Sequence, residues 1–322
     1  MRIVLSLLSL LPLAPAHLGS GDEVQPRDTE AVIESVSPAL PPGVRVSIVG
    51  GDTFLRVESD GVPVEVRGYD DEQYLRIAAD GTVTVNENSA TAILNRDRYG
   101  RTDGSDAGTP GGPVRWTTIA ADGTAMWHDH RIHWMSPSTP RTIDGEGTIQ
   151  EFSVPIVVDG TTVNIGGTLY LRQQASFLWW MIAPLAAVIT VVLSRSRRTR
   201  HVSLPVVATV GTVIGWVQHT GLPSGARVTP LLLAFCGGAL VLSVVALFTR
   251  RNPHVATSID AGAGAALVVV AWMSAAQVRA AYVPGMGTEW VARATVAALM
   301  GAGLAACIDG VVRIVRDTTG DG

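Results

Sequence analysis

Between residues 44 and 172, apolar and polar positions alternate with a period of two in short runs. These are VRVSIVG, TFLRVES, VPVEVRGY, YLRIA, TVTVNE, VRWTTIA, SVPIVV and TVNIGGTLYLR. Strict alternation sends successive side chains to opposite faces, the pattern of a half-buried strand. The turn signals SDG, ADG (twice) and VDG divide the runs. From residue 176 the alternation stops and five continuous apolar stretches follow: Ser176–Leu193, Val202–Gln218, Pro230–Phe248, Ile259–Ala276 and Val291–Val312. Each is near the ~20 residues that a membrane-crossing helix needs.

Short strands at regular spacing predict an all-β antiparallel sandwich, immunoglobulin- or cupredoxin-like, over residues 44–172. The apolar stretches predict an all-α domain of five transmembrane helices over residues 176–316, with a tail at 317–322. Before the strands, residues 17–43 read as an extended leader. The first sixteen residues carry Arg2, an apolar stretch from Ile3 to Leu13, and Ala14-x-Ala16. That is the build of a secretory signal peptide cut after Ala16, which leaves His17 at the mature N-terminus. The polar segment Asn95–Pro113 reads as a long disordered loop.

Charge adds direction. Residues 17–175 hold 12 arginines against 23 carboxylates, whereas residues from 176 onward hold 11 arginines against 5. Four arginines follow the first apolar stretch in SRSRRTRH, two follow the third in TRRNPH, and two more, Arg313 and Arg316, lie in RIVRDTTGDG after the fifth. Arginine-rich loops stay cytoplasmic. The predicted topology is therefore a plasma-membrane, multi-pass protein with residues 17–175 extracytoplasmic and the C-terminus cytoplasmic. The lipid bilayer is its first partner, and no nucleic-acid partner is expected. All 24 basic residues are arginine, which points to a GC-rich genome of actinobacterial type.

The two cysteines, Cys236 and Cys307, both lie in apolar stretches, so the outer half offers neither a disulfide nor a thiolate ligand. Its histidines are grouped: His17, then His128, His130 and His133 within AMWHDHRIHWM. On a strand, His128 and His130 would share a face about 7 Å apart at Cα, and His133 would join them only where the strand ends or bends. An N-terminal His17 could chelate through its amino and ring nitrogens together. Three or four nitrogens in a near-planar set suit Cu(II) better than zinc. Asp129 reads as an ion-pair partner of Arg131, Met126 and Met135 as core, and Asp70, Asp71 and Glu72 of GYDDEQY as a solvated turn.

The MWHDH stretch, with a histidine exposed by signal cleavage, resembles the copper site of the B subunit of particulate methane and ammonia monooxygenases. That family pairs a mature N-terminal histidine with a W-H-x-H strand of a cupredoxin-like domain. The resemblance implies His17, His128 and His130 as copper ligands, one ion per chain, with His133 in reserve. It covers about ten informative residues and the order of parts. It departs in having five helices rather than two and no second sandwich. The chain also resembles actinobacterial membrane proteins associated with copper handling. Without a cysteine the site would not be a blue electron-transfer centre. No nucleophile–base pair, phosphate loop or carboxylate dyad is apparent, so the expectation is an extracytoplasmic copper-binding protein for handling or delivery, not an enzyme, that meets other copper-handling or membrane proteins. The alternatives are a metal-free immunoglobulin-like module that docks a partner, and a transporter with an extracellular cap, which would need a polar cavity connecting Gln218, His219 and Gln277.

Overall fold

A computed structural model of the chain describes residues 24–101, 108–196 and 199–319. It divides into two compact units, one built mainly from residues 31–170 and the other mainly from residues 171–319.

The first unit is β-sandwich-like. Ten strands form two sheets: β1 (Thr29–Ser37), β2 (Val44–Val49), β3 (Phe54–Ser59), β4 (Val64–Arg67), β5 (Gln73–Ile77), β6 (Val83–Asn86), β7 (Trp116–Ala120), β8 (Thr124–Trp127), β9 (Thr148–Val158) and β10 (Thr161–Leu171). The larger sheet runs β1-β10-β9-β4-β5-β6-β7 and the smaller β2-β3-β8. Alternation sets the register. Along β9, residues 152, 154, 156 and 158 are buried, and Val154, Ile156 and Val158 face Ile165, Val163 and Thr161 across the β9–β10 hairpin. Asp159 (φ 46°) and Gly160 (φ 76°) make the two-residue turn, both in the left-handed region that such hairpins require. Phe54, Leu55, Val57 and Trp127 of the smaller sheet, with Leu75, Ile77 and Val83 of the larger, belong to the buried core.

Eight strands fall on the eight alternating runs. Two do not. Within the stretch read as a leader, Thr29–Ser37 form the edge strand β1, beside β10. β8 is only four residues long and too short to show a period. A short helix, α1 (Ala90–Leu94), interrupts the strands, capped by the Ser89 hydroxyl on the Ala92 amide. Glu72 is more than a solvated turn residue. Its carboxylate accepts from Ser89 Oγ at 2.7 Å and the Thr91 amide at 2.9 Å, which ties the GYDDEQY turn to the start of α1.

The second unit is a helical bundle: α2 (Ile182–Ser194), α3 (Ser203–Thr220), α4 (Leu231–Thr249), α5 (Pro253–Met273) and α6 (Glu289–Thr319). Small side chains are frequent at the buried positions, beside Leu232, Leu267 and Leu299, and many large ones face outward. Cys236, Ala239, Ser243 and Ala246 of α4 are buried, whereas Phe248 is 82 % and Trp272 76 % exposed. Gly264 of α5 and Gly303 of α6 bring those helices together, since a Cβ on either would meet the other's carbonyl oxygen at 2.7–2.8 Å. Helices cover all five apolar stretches, and four are long and apolar enough to cross a membrane: Phe177–Ser194, Leu231–Thr249, Pro253–Met273 and Glu289–Arg316. The fifth, α3, is diluted by Ser203, Thr209, Thr212, Gln218, His219 and Thr220.

Candidate functional site

The histidine cluster lies just past the end of β8. That strand pairs with β3, Trp127 opposite Leu55, and buries Trp127 completely. The Trp127 indole donates to Asp129 Oδ2 at 3.0 Å. There the chain leaves the sheet. Asp129 closes a turn: its carbonyl accepts from the Ile132 amide at 3.0 Å, and Oδ1 accepts from the Arg131 amide at 3.1 Å. An aspartate that bonds the amide two residues on is a common way to start a turn. Its carboxylate also grips Arg131, with Nε at 2.8 Å from Oδ1 and a terminal nitrogen at 2.6 Å from Oδ2. The expected Asp129–Arg131 pair is thus present, fully buried at the aspartate. Arg131 in turn covers the Tyr69 ring at 5.0 Å.

This turn corrects the expected strand geometry. His128 and His130 do not project side by side from one strand, because the strand ends at Trp127. Each ring is fixed to a different segment. His128 is fully buried, lies 4.3 Å from the Phe54 ring, and donates from Nδ1 to the Thr53 carbonyl at 2.9 Å. His130 is half-buried; its backbone amide donates to Tyr69 Oη at 2.8 Å and its Nε2 to the Asp97 carbonyl at 3.1 Å. His133 is fully buried and donates from Nδ1 to the Trp134 carbonyl at 3.3 Å. The early end of the strand does what it had to do to bring His133 in. Its ring stands edge-on to His130 at 5.1 Å and to His128 at 6.3 Å, so it neighbours both of the other rings.

Since a carbonyl can only accept, each neutral ring carries its proton on the nitrogen named, and the other nitrogen keeps its lone pair: Nε2 of His128, Nδ1 of His130, Nε2 of His133. His133 Nε2 is buried with no hydrogen-bond partner. Burial, with the nearby Arg98 charge adding to it, pushes the His133 imidazole down to about 2. Burial also lowers His130. Arg98 is itself buried against the fully buried Asp52, at 2.7 Å.

The first half of the Asn95–Pro113 loop belongs to this site. The Asp97 carboxylate accepts from the Tyr99 and Arg101 amides at 2.9 and 3.0 Å, folding the segment so that its carbonyl meets His130. Gly100, at φ 68°, leaves room where a Cβ would lie 3.2 Å from His130 Cε1 and 3.6 Å from the Met135 methyl. Asp52, Thr53, Tyr69, Asp97 and Arg98 were not among the expected site residues. Of the expected core methionines, Met126 is buried on β8 and Met135 is exposed. His17 and residues 1–16, the stretch read as a signal peptide, lie outside the described residues.

As arranged, the rings meet edge to face rather than converging on a point. Among the described residues no group of three or more His, Cys, Asp or Glu side chains is placed to hold a metal ion. In the bundle, Gln218 Nε2 donates to Gln277 Oε1 at 2.8 Å and His219 Nδ1 to the Val228 carbonyl at 3.2 Å, so the three polar groups of the transporter reading have local partners. No protein-family model, curated protein or solved structure is similar to this chain.

Proposed function

We propose that the chain is a membrane-anchored protein whose extracytoplasmic sandwich binds copper through His128, His130 and His133, with His17 as a further ligand when signal cleavage exposes it. One observation carries the reading: all three imidazoles donate one nitrogen to a backbone carbonyl and keep the other as a lone pair. Metal-ligating histidines are held this way, the outer hydrogen bond fixing both tautomer and ring orientation. His133 adds a fully buried lone-pair nitrogen with no hydrogen-bond partner, a costly arrangement that a metal ion would relieve. Convergence would need each ring to move together with the carbonyl that holds it, since turning a side chain alone would break its hydrogen bond. The ligand set differs from that implied by the resemblance to the monooxygenase B subunit in giving His133 a first place. A cupredoxin-like class for the sandwich, five rather than four crossings, and a cytoplasmic C-terminus belong to the same proposal. The function is copper handling or delivery, without a catalytic step.

A second reading draws on Arg98. A buried guanidinium beside the cluster opposes a bound cation, and edge-to-face rings are good packing in their own right. On that account the cluster only stiffens a metal-free module that docks a partner protein.

Copper titration of the full chain separates the two. One form begins at a free His17, a second carries two extra residues before it, and a third is His133→Ala. The proposal requires one copper per chain by mass spectrometry, with nitrogen hyperfine structure in the Cu(II) EPR spectrum that is lost in His133→Ala. Loss on extending the N-terminus assigns His17. Equal, weak binding in all three forms leaves the docking module.

A further inference from the structure

The bundle carries a cleft with two chemically different ends. Helices α2 and α3 are consecutive, yet both pack on α6 and only lightly on each other. The gap between them is an apolar groove of about 310 Å³, walled by Leu185, Ile189 and Leu193 of α2 and Val206 and Val207 of α3, with Ala298 of α6 as its floor. From Ile182 to Leu193 the groove runs about 17 Å at 1.5 Å per residue. That is close to one leaflet's share of a ~30 Å hydrocarbon core.

At Thr190 and Ser203 the groove meets a second hollow, since both residues line the two. This hollow is more polar than the groove, and Arg200, Asp260, Asp309 and Arg313 bound it. Each of its carboxylates holds one partner, although Asp260 Oδ1 is buried without one. Asp309 holds Arg313 Nε at 2.7 Å, and Asp260 holds His201 Nδ1 at 2.6 Å. Arg313 also reaches the Ser194 carbonyl at the end of α2, at 3.2 Å. Arg200 has no such carboxylate contact, and its Nε is buried without a hydrogen-bond partner. Arg195, the residue that ends α2, adds a further positive charge nearby in the chain.

We propose that this cleft binds one anionic glycerophospholipid, with an acyl chain in the α2–α3 groove and the phosphate at Arg200. The inference rests on the membrane embedding of the bundle and not on copper. Length, apolar walls and an arginine with no close carboxylate at one end match the three parts of such a lipid, and basic pockets between membrane helices are where anionic headgroups lodge. A zwitterionic lipid would fill the groove equally well but gain less at the arginine.

Native mass spectrometry of the full chain in detergent tests this, with phosphatidylglycerol and phosphatidylcholine of the same acyl chains added in turn. One phosphatidylglycerol should remain bound, favoured over phosphatidylcholine by about fivefold, which is what ~1 kcal/mol for one arginine at an anionic lipid amounts to. Arg200→Gln should remove the preference. Val206→Trp, at a side chain 56 % exposed and so able to change without repacking the core, should reduce retention of both lipids. Circular dichroism and a monodisperse elution profile establish that each variant is folded. Equal retention of the two lipids by the unmodified chain would overturn the proposal. So would undiminished retention in Val206→Trp, or displacement of the lipid by millimolar inorganic phosphate, which would make the hollow a free-phosphate site.

Discussion

The His133 imidazole stands edge-on to that of His130, their ring centres 5.1 Å apart, beside a turn that the Asp129–Arg131 pair helps to hold shut. Burial pushes both rings below the ordinary imidazole range, and this couples the cluster to the stability of the sandwich.

Acid should therefore loosen the fold well before the carboxylates titrate. The folded state holds His133 at about 2, whereas in the unfolded chain it titrates near 6.5. Between those values the unfolded chain binds the extra proton, so stability is complete above pH 6.5 and declines as pH falls through it. The slope is about 1.4 kcal/mol per pH unit for one such group. Thermal unfolding of the full chain in detergent, followed by tryptophan fluorescence at pH 7 and pH 5, measures it. His133→Gln should flatten the dependence by that amount; an unchanged slope would mean that His133 is not the group titrating.

The Asp52–Arg98 pair should behave asymmetrically. Removing one partner of a buried ion pair leaves the other charge uncompensated, at a cost of about 3–5 kcal/mol. Asp52→Leu or Arg98→Met alone should each fall in that range by chemical denaturation. The double variant should recover most of the loss, because two apolar groups replace two buried charges. If copper binds at the histidines, the double variant should also bind it more tightly, since the guanidinium that repels the ion is gone.

The sandwich was legible where its strands were long enough to alternate. β9 and β10 run for eleven residues each and their period is plain. β8 is four residues long, and β1 lies in a stretch whose mixed composition hides the alternation. The cluster of histidines was visible as a cluster, and Asp129–Arg131 as a pair, because both are local. Thr53, Asp97 and Tyr69 were invisible for a physical reason. Thr53 and Asp97 hold His128 and His130 through backbone carbonyls, which any residue type supplies, and they lie 75 and 33 positions away. Only the conversion of a strand into a turn at residue 128 brought His133 to the centre. Its warning was the MWHDHR sequence itself, in which an aspartate follows the first histidine and can bond the amide two residues later.

Gly100→Ala should test how tightly the Asp97–Arg101 turn is set against His130. The left-handed conformation alone costs an alanine about 1–2 kcal/mol. The new methyl would add a contact at 3.2 Å to His130 Cε1, tighter than the site can accept without moving the ring. The expected result is a fall in stability of at least the backbone cost together with a changed His130 resonance in NMR titration. A stability loss with His130 unmoved would show that the turn, not the imidazole, yields.

The number of crossings decides on which side the C-terminus lies, and α3 decides the number. If α3 stayed out of the membrane, four crossings would return the C-terminus to the side of the sandwich and carry Arg250 and Arg251 there as well, against the preference of arginine-rich loops for the cytoplasm. Four hydrogen-bonded side chains reduce the cost of burying α3. Gln218 is paired with Gln277, and the Thr209, Thr212 and Thr220 hydroxyls donate to carbonyls one turn earlier, at Pro205, Ala208 and Trp216. Polar groups bonded within the bundle are tolerated in hydrocarbon where bare ones are not. Five crossings are therefore expected, with the tail opposite the sandwich. A green fluorescent protein fused after residue 322 should fluoresce, and alkaline phosphatase at the same point should be inactive. Phosphatase fused within the α3–α4 loop, after residue 225, should be active. An active phosphatase at the C-terminus would remove α3 from the membrane and reverse every side assigned after it.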